Sequence, residues 1–143
     1  MQSIILVVEG DGDKAAAPLL LRRVLYKYGR YDIDVGQPVK AGNCSKLEKE
    51  FEKFLRHAQG KPRCGAILVL LDSDDDCPKD LAARLATRCN QAGVGKPVAV
   101  VCATREYEAW FLASLETIKG SAEISESASF NGDVEMLRGV TDP

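Results

Sequence analysis

One stretch limits what this chain can become. Ala66-Ile67-Leu68-Val69-Leu70-Leu71 is wholly apolar, and Asp72-Ser73-Asp74-Asp75-Asp76 follows it directly. A short apolar run bounded by turn residues reads as a strand buried on both faces, the situation of a parallel sheet covered by crossover helices. If the backbone stays extended past the run, side chains alternate and Asp72, Asp74 and Asp76 share one side. Two ionised carboxylates about 5 Å apart repel by roughly 3 kcal/mol at an effective dielectric near 20, and by under about 1 kcal/mol when fully hydrated. The cluster therefore either faces water, as a hydrated loop capping the next helix, or holds a cation. The number of acids at one strand end favours the cation.

The rest of the chain repeats a strand followed by a helix. Ile4 to Val8 is a second buried-strand candidate, ending in Glu9-Gly10-Asp11-Gly12-Asp13. Lys14 to about Tyr28 is expected to be helical, with Ala17, Leu20, Val24 and Leu25 inward. Pro18 suits only a first turn, which points to a regular helix starting later than Lys14. Tyr31 to Val35 alternates like an edge strand, and Gly36 to Asn43 reads as a loop. Ser45-Lys46-Leu47-Glu48 has the form of a capping box with Ser45 at the N-cap. It opens a helix whose inner face is Leu47, Phe51, Phe54, Leu55 and Ala58. Pro78 fits a first helical turn, with Asp76 or Cys77 as N-cap. Val98 to Ala103 is the fourth strand. Glu106 to about Leu115 is the fourth helix, on which Trp110 reads as a core anchor.

This order argues an α/β fold: a doubly wound, mainly parallel four-stranded sheet with helices on both faces, Rossmann-like in outline. A strand order of 2-1-3-4 makes the first and third strands neighbours and brings Glu9 beside Asp72. In such sheets ligands bind beyond the carboxyl ends of the strands, where the strand order reverses. Glu9, Asp72, Arg105 and Glu106 all lie at those ends. The α/β domain is expected over residues 1–118. Residues 119–143, of which Gly120 to Asn131 is rich in Ser, Glu and Gly, read as a flexible loop or lid with a short C-terminal segment. The stop at Asp142-Pro143 suggests a piece of a longer protein.

Bulk properties narrow the function. The 143 residues suffice for one core, and a formal net charge of −2 gives no global field to steer nucleic acid. A polyanionic substrate must then be held by local Arg and Lys and by metal. The five cysteines include no C-x-x-C pair, so neither a disulfide framework nor a thiolate zinc site is indicated. Free thiols fit a reducing, cytoplasmic setting. No apolar run has the length of a membrane span, and the N-terminal run, without a basic flank or cleavage site, reads as a strand and not a signal peptide. A nucleophilic Cys77 paired with His57, the one histidine, is a remote option because the two lie on different segments.

Gly10-x-Gly12-x-x-Ala15, with Asp32 and Asp34 about 20 residues on, matches the letter of a dinucleotide-binding fingerprint. That site needs bare backbone N–H groups for a pyrophosphate, and here Glu9, Asp11 and Asp13 repel one. Nucleotide or dinucleotide binding is therefore a minor alternative. Asp72 to Asp76 begins like an EF-hand loop, but Cys77 and Ala83 stand where Gly and Glu are needed. The chemistry favoured is that of Mg²⁺ or Mn²⁺, which takes one or two carboxylates, waters and substrate phosphate oxygens. Asp72 and Asp74 are the first candidate ligands, with Asp76 beside them. Glu9 is either a further ligand or a general acid/base. Glu106 or Glu108 is a second acidic source for a two-metal site, and Arg105 is a candidate to hold a phosphate.

Glu9-Gly10 after the first strand and Asp72-Ser73-Asp74 after the third resemble the Toprim domain of topoisomerases, bacterial primases and overcoming-lysogenization-defect nucleases. The resemblance spans about residues 3–115. The segments Val8 to Gly12, Leu70 to Pro78 and Arg105 to Phe111 are similar to small uncharacterised bacterial Toprim-like proteins, often encoded beside an ATPase and linked to phage defence. The resemblance implies Glu9 as general acid/base and Asp72 and Asp74, with Asp76, as Mg²⁺ ligands. It implies nuclease or other phosphoryl-transfer activity on nucleic acid. A non-catalytic regulatory partner of an ATPase is the alternative.

Overall fold

The structure is a computed structural model that describes residues 1–104, 110, 113, 114, 120, 125–129 and 131–133. Along the chain run β1 (Gln2–Val8), α1 (Asp11–Lys27), β2 (Ile33–Val35), β3 (Val39–Lys40), α2 (Cys44–Lys49), α3 (Phe51–Gln59), β4 (Cys64–Asp72), α4 (Pro78–Gln91) and β5 (Val98–Ala103). Every strand pairing is parallel, in the order β2-β1-β4-β5, with β3 also on β1. The fold is α/β, a parallel sheet with helices on both faces. The first and third strands expected from sequence are indeed neighbours, as β1 and β4.

Alternation along these two strands explains the layering. Ile5, Val7, Ile67, Val69 and Leu71 point to one face and join Leu47, Phe51, Leu55, Leu81 and Leu85 of α2, α3 and α4. Leu6, Val8 and Leu70 point to the other and join Ala17 and Leu25 of α1, with Leu21 and Trp110 packed against them. Helices must therefore lie on both sides to remove both faces from water.

Several local expectations are corrected. Among the described residues the sheet has five strands, because Val39–Lys40 pairs with Val7 and Val8 inside the expected loop. Three residues, Gly36 to Pro38, stand opposite two of β1, so the edge strand bulges and resumes. Pro38 lacks an N–H and can sit only at such an edge. A Cβ on Gly36 would lie 2.4 Å from Ile5 Cδ1, so any larger residue there needs the buried Ile5 side chain to shift. Helix α1 begins at Asp11 and runs through a buried Pro18, with one hydrogen bond fewer, to the Lys14 carbonyl. Its inner face is Ala17, Leu21 and Leu25, while Val24 is 42 % exposed. Asn43, not Ser45, caps α2, its Oδ1 accepting the Lys46 N–H at 2.8 Å. The expected single helix breaks at Glu50 into α2 and α3. Pro78 opens α4 after an N-cap at Cys77, as the sequence suggests. Among the described residues no helix is long and apolar enough to cross a membrane.

Helix α4 is clamped to α3 by Arg88. Its Nε and Nη2 each donate to Glu52 at 2.7 Å, and its guanidinium lies 5.3 Å from the Phe51 ring centroid. The Arg88 hydrogen bond draws the Glu52 carboxyl from 4.5 to about 2.

Two measurements test this packing. Leu55→Ala, at a site with no exposure, is expected to cost about 2–5 kcal/mol in urea unfolding. Leu19→Ala, at a 60 % exposed site, should stay within about 0.5 kcal/mol. The second concerns pH. The folded chain binds the Glu52 proton less readily than the unfolded chain, so the pair's stabilisation is complete above 4.5 and disappears as pH falls towards about 2. Glu52→Gln should flatten that part of the stability–pH curve and lower the stability near neutrality. An unchanged curve would refute the clamp.

Candidate active site

The connection through α1 covers one face of the sheet and the connections through α2, α3 and α4 cover the other. The strand order therefore reverses between β1 and β4, and the crevice beyond their carboxyl ends is the natural ligand position. Glu9 follows β1 there, and Asp72 ends β4.

These two residues are joined directly. Glu9 Oε1 accepts the Asp72 backbone N–H at 2.7 Å. The Glu9 carbonyl accepts the Gly42 N–H at 2.7 Å, and Gly42 has φ +110°, a conformation that favours glycine. Glu9 is thus held from both sides, by the loop after β3 and by the end of β4. Both acids are half-buried.

Beyond Asp72 the chain leaves the extended conformation. Ser73 is buried, its N–H donating to the Ala103 carbonyl at 2.9 Å. Asp74 takes φ +49°, and the Asp76 N–H closes the turn on the Ser73 carbonyl at 2.8 Å. Asp tolerates this left-handed region better than most residues. The expected alternation of Asp72, Asp74 and Asp76 on one side is therefore overturned. Asp76 instead meets Arg84 Nη2 of α4 at 3.3 Å, and the same nitrogen meets Glu48 of α2 at 3.2 Å. The N-cap of α4 is Cys77, with no side-chain capping bond, so Asp76 is not the N-cap residue.

Cys44, the first residue of α2, shows how the negative charges converge. Its Sγ donates to the Asp72 carbonyl at 3.6 Å. Burial first, then the charges of Glu9, Asp74, Glu48 and Asp72, push its thiol up to about 12. Those acids therefore share one neighbourhood around the sulfur. Cys102 is pushed up to about 11, chiefly by burial, with Arg84 opposing and Glu9 reinforcing. On the other rim, Lys40 Nζ meets both Asp11 oxygens at 2.9 Å, which draws the Asp11 carboxyl down.

The helix start after Glu9 is not the bare anion cradle of a dinucleotide site. The Gly10 N–H donates to Asp13 Oδ2 at 2.8 Å. Neither Gly10 nor Gly12 is required by the local packing, since an added Cβ would meet at most Asp13 Oδ2, at 3.6 Å. Arg105, Glu106 and Glu108 lie outside the described residues. His57 is exposed on α3.

Among the described residues, no three His, Cys, Asp or Glu side chains form a ready metal-ligand set. A closed cage for zinc or calcium is therefore not what Glu9, Asp72 and Asp74 make. The donors are hard carboxylate oxygens, and one or two of these with water and phosphate is what Mg²⁺ uses. The donor chemistry fits a water-retaining ion.

Residues 8–138 match a family described as a domain of unknown function, DUF4276. The chain belongs to that family. No curated protein and no solved structure matches it. The DUF4276 match takes in Glu9, the acidic loop and Arg84 alike. Sequence reasoning passed over Arg84, Lys40 and Cys44. Arg84 did leave a signal, because Arg84 and Arg88 are spaced four apart, as are Glu48 and Glu52. Cys44 left none.

The thiols test this electrostatic picture. At about pH 8, maleimide labelling followed by mass spectrometry should modify exposed Cys77 first and Cys44 slowly. Glu9→Gln removes a negative charge beside Cys44, so its thiol pKa should fall. A Cys44 that labels as fast as Cys77 in the unsubstituted protein would refute the arrangement.

Proposed function

We propose that this protein is a Mg²⁺- or Mn²⁺-dependent enzyme of the Toprim type that transfers or hydrolyses phosphodiesters of nucleic acid. The observation that carries the reading is the 2.7 Å bond between Glu9 and the end of β4. It holds an acid from one strand beside an acid-rich turn from its neighbour, at the sheet's switch point. In this reading Asp72 and Asp74 hold the ion, with Asp76 able to join them only by leaving Arg84. Glu106 is a candidate second acidic source and Arg105 a candidate phosphate-holding cation.

When bound, the ion supplies positive charge to a phosphoryl group and to the attacking oxygen. The remaining work falls to side chains. Glu9, fixed by the Asp72 N–H, is placed to take or give a proton at the reacting oxygen. Gly10 and Gly12 leave the approach to Glu9 without side chains, which suits close contact with a substrate phosphate. The Cys44 thiol, kept protonated by burial and by its acidic neighbours, is not the nucleophile.

Calorimetric titration with Mg²⁺ and Mn²⁺, followed by incubation with plasmid and single-stranded DNA, tests the proposal. Asp72→Asn is expected to lose ion binding and cleavage together. Glu9→Gln should retain most ion binding and lose about 10²–10⁴-fold in rate if it moves the proton. Ion binding without turnover, restored only by an added ATPase partner, would favour the regulatory reading instead. No ion binding at all would remove the proposal.

A further inference from the structure

Two arginines one helical turn apart on α4 are used differently. Arg88 is saturated, with Nε and Nη2 on Glu52, Nη1 on the Glu48 carbonyl, and its plane against Phe51. Arg84 meets both of its carboxylates, Glu48 and Asp76, through the single nitrogen Nη2. Its bonds are longer, 3.2 and 3.3 Å against 2.7 Å for Arg88 to Glu52, and its side chain is 51 % exposed. Guanidinium has five N–H donors in a planar fork that matches two phosphate oxygens. Arg84 thus presents an unused edge beside the turn that carries Asp72 and Asp74.

We infer that Arg84 binds a backbone phosphate of a nucleic-acid strand, next to the group held at Glu9 and Asp72. The inference rests on the phosphodiester reading above and extends it to a residue outside the acid set. Exposed ion pairs are weak because water and salt screen them, so Asp76 or Glu48 is readily exchanged for a phosphate. A phosphate offers the bidentate partner that neither acid now supplies. An acid-rich rim otherwise repels a polyanion, and Arg84 is a cation placed within it. In the strand-free protein its pairing with Asp76 also steadies the turn, so strand binding and release of Asp76 are coupled.

The test is binding of a short, fluorescently labelled single-stranded DNA, read by anisotropy between about 50 and 200 mM salt, with Ca²⁺ in place of Mg²⁺. Arg84→Gln should weaken binding about tenfold at the low-salt end and reduce the slope of log K against log salt by about 0.7, the value for one lost phosphate contact on a single strand. Arg84→Lys should keep the slope and recover only part of the affinity, because the charge remains and the fork does not. Arg88→Gln removes the same charge one turn away and should leave the slope unchanged. If that variant does not fold, Arg56→Gln on α3 is the charge-matched control. Glu48→Gln, which removes a competitor for Arg84, should tighten binding. Equal slopes for Arg84→Gln and the unsubstituted protein would overturn the inference while leaving the phosphodiester reading standing. A loss equal to that of the charge-matched control would overturn it too, by reducing Arg84 to a general field effect. No binding by the unsubstituted protein would remove both.

Discussion

Everything in this fold follows from two strands, β1 and β4, that bury side chains on both faces while paired in parallel. A parallel pair cannot be closed by a tight turn, so each connection must cross over the sheet as a helix. Two buried faces need helices on both sides, and right-handed crossovers then fix where each helix goes. The reversal between β1 and β4 is a consequence. So is the meeting of Glu9 with Asp72, each lying at the carboxyl end of one of these strands.

That meeting is electrostatically costly unless something offsets it. Burial without a partner raises the free energy of a carboxylate, and several acids in one neighbourhood raise it further. The structure distributes the load. Glu9 takes a backbone N–H, Asp11 takes Lys40, and Asp76 and Glu48 share Arg84. Cys44 stays a neutral thiol and donates to the Asp72 carbonyl. The offsets are unequal in kind. The Glu9 bond ties one strand end to the next and is part of the fold. The Lys40 and Arg84 pairs are exposed and exchangeable, so they hold the rim without freezing it.

What the sequence made legible was long-range order, and what it hid was local conformation. The apolar runs of β1 and β4 announce two-faced burial, and the strand–helix alternation announces parallel pairing. From these the neighbourhood of Glu9 and Asp72 could be read before any coordinates. The turn at Asp74 could not, because a left-handed residue without glycine carries no compositional mark. The two-residue β3 is too short for periodicity to register. The break at Glu50 falls on a good helix former, so propensity gives no sign of it. Arg84 is visible only once Glu48 and Asp76, from separate segments, are brought to it. Arg105 and Glu106 belong to a segment outside the described residues, so their candidacy rests on sequence.

The bland account of the acidic loop was a hydrated turn that caps the next helix. Its central requirement is a side-chain bond from an aspartate to the first turn of α4. The cap residue is not an aspartate but Cys77, without a side-chain capping bond, and Pro78 already removes one N–H that a cap would satisfy. Nor do the acids serve the core, because Asp74, Asp75 and Asp76 are all exposed. The turn stands at the switch point of its sheet with a carboxylate from the adjacent strand locked against it, and neither an aspartate N-cap nor core packing puts it there. In the phosphodiester reading proposed above, a divalent ion arriving with a phosphate would bring the opposite charge to this turn.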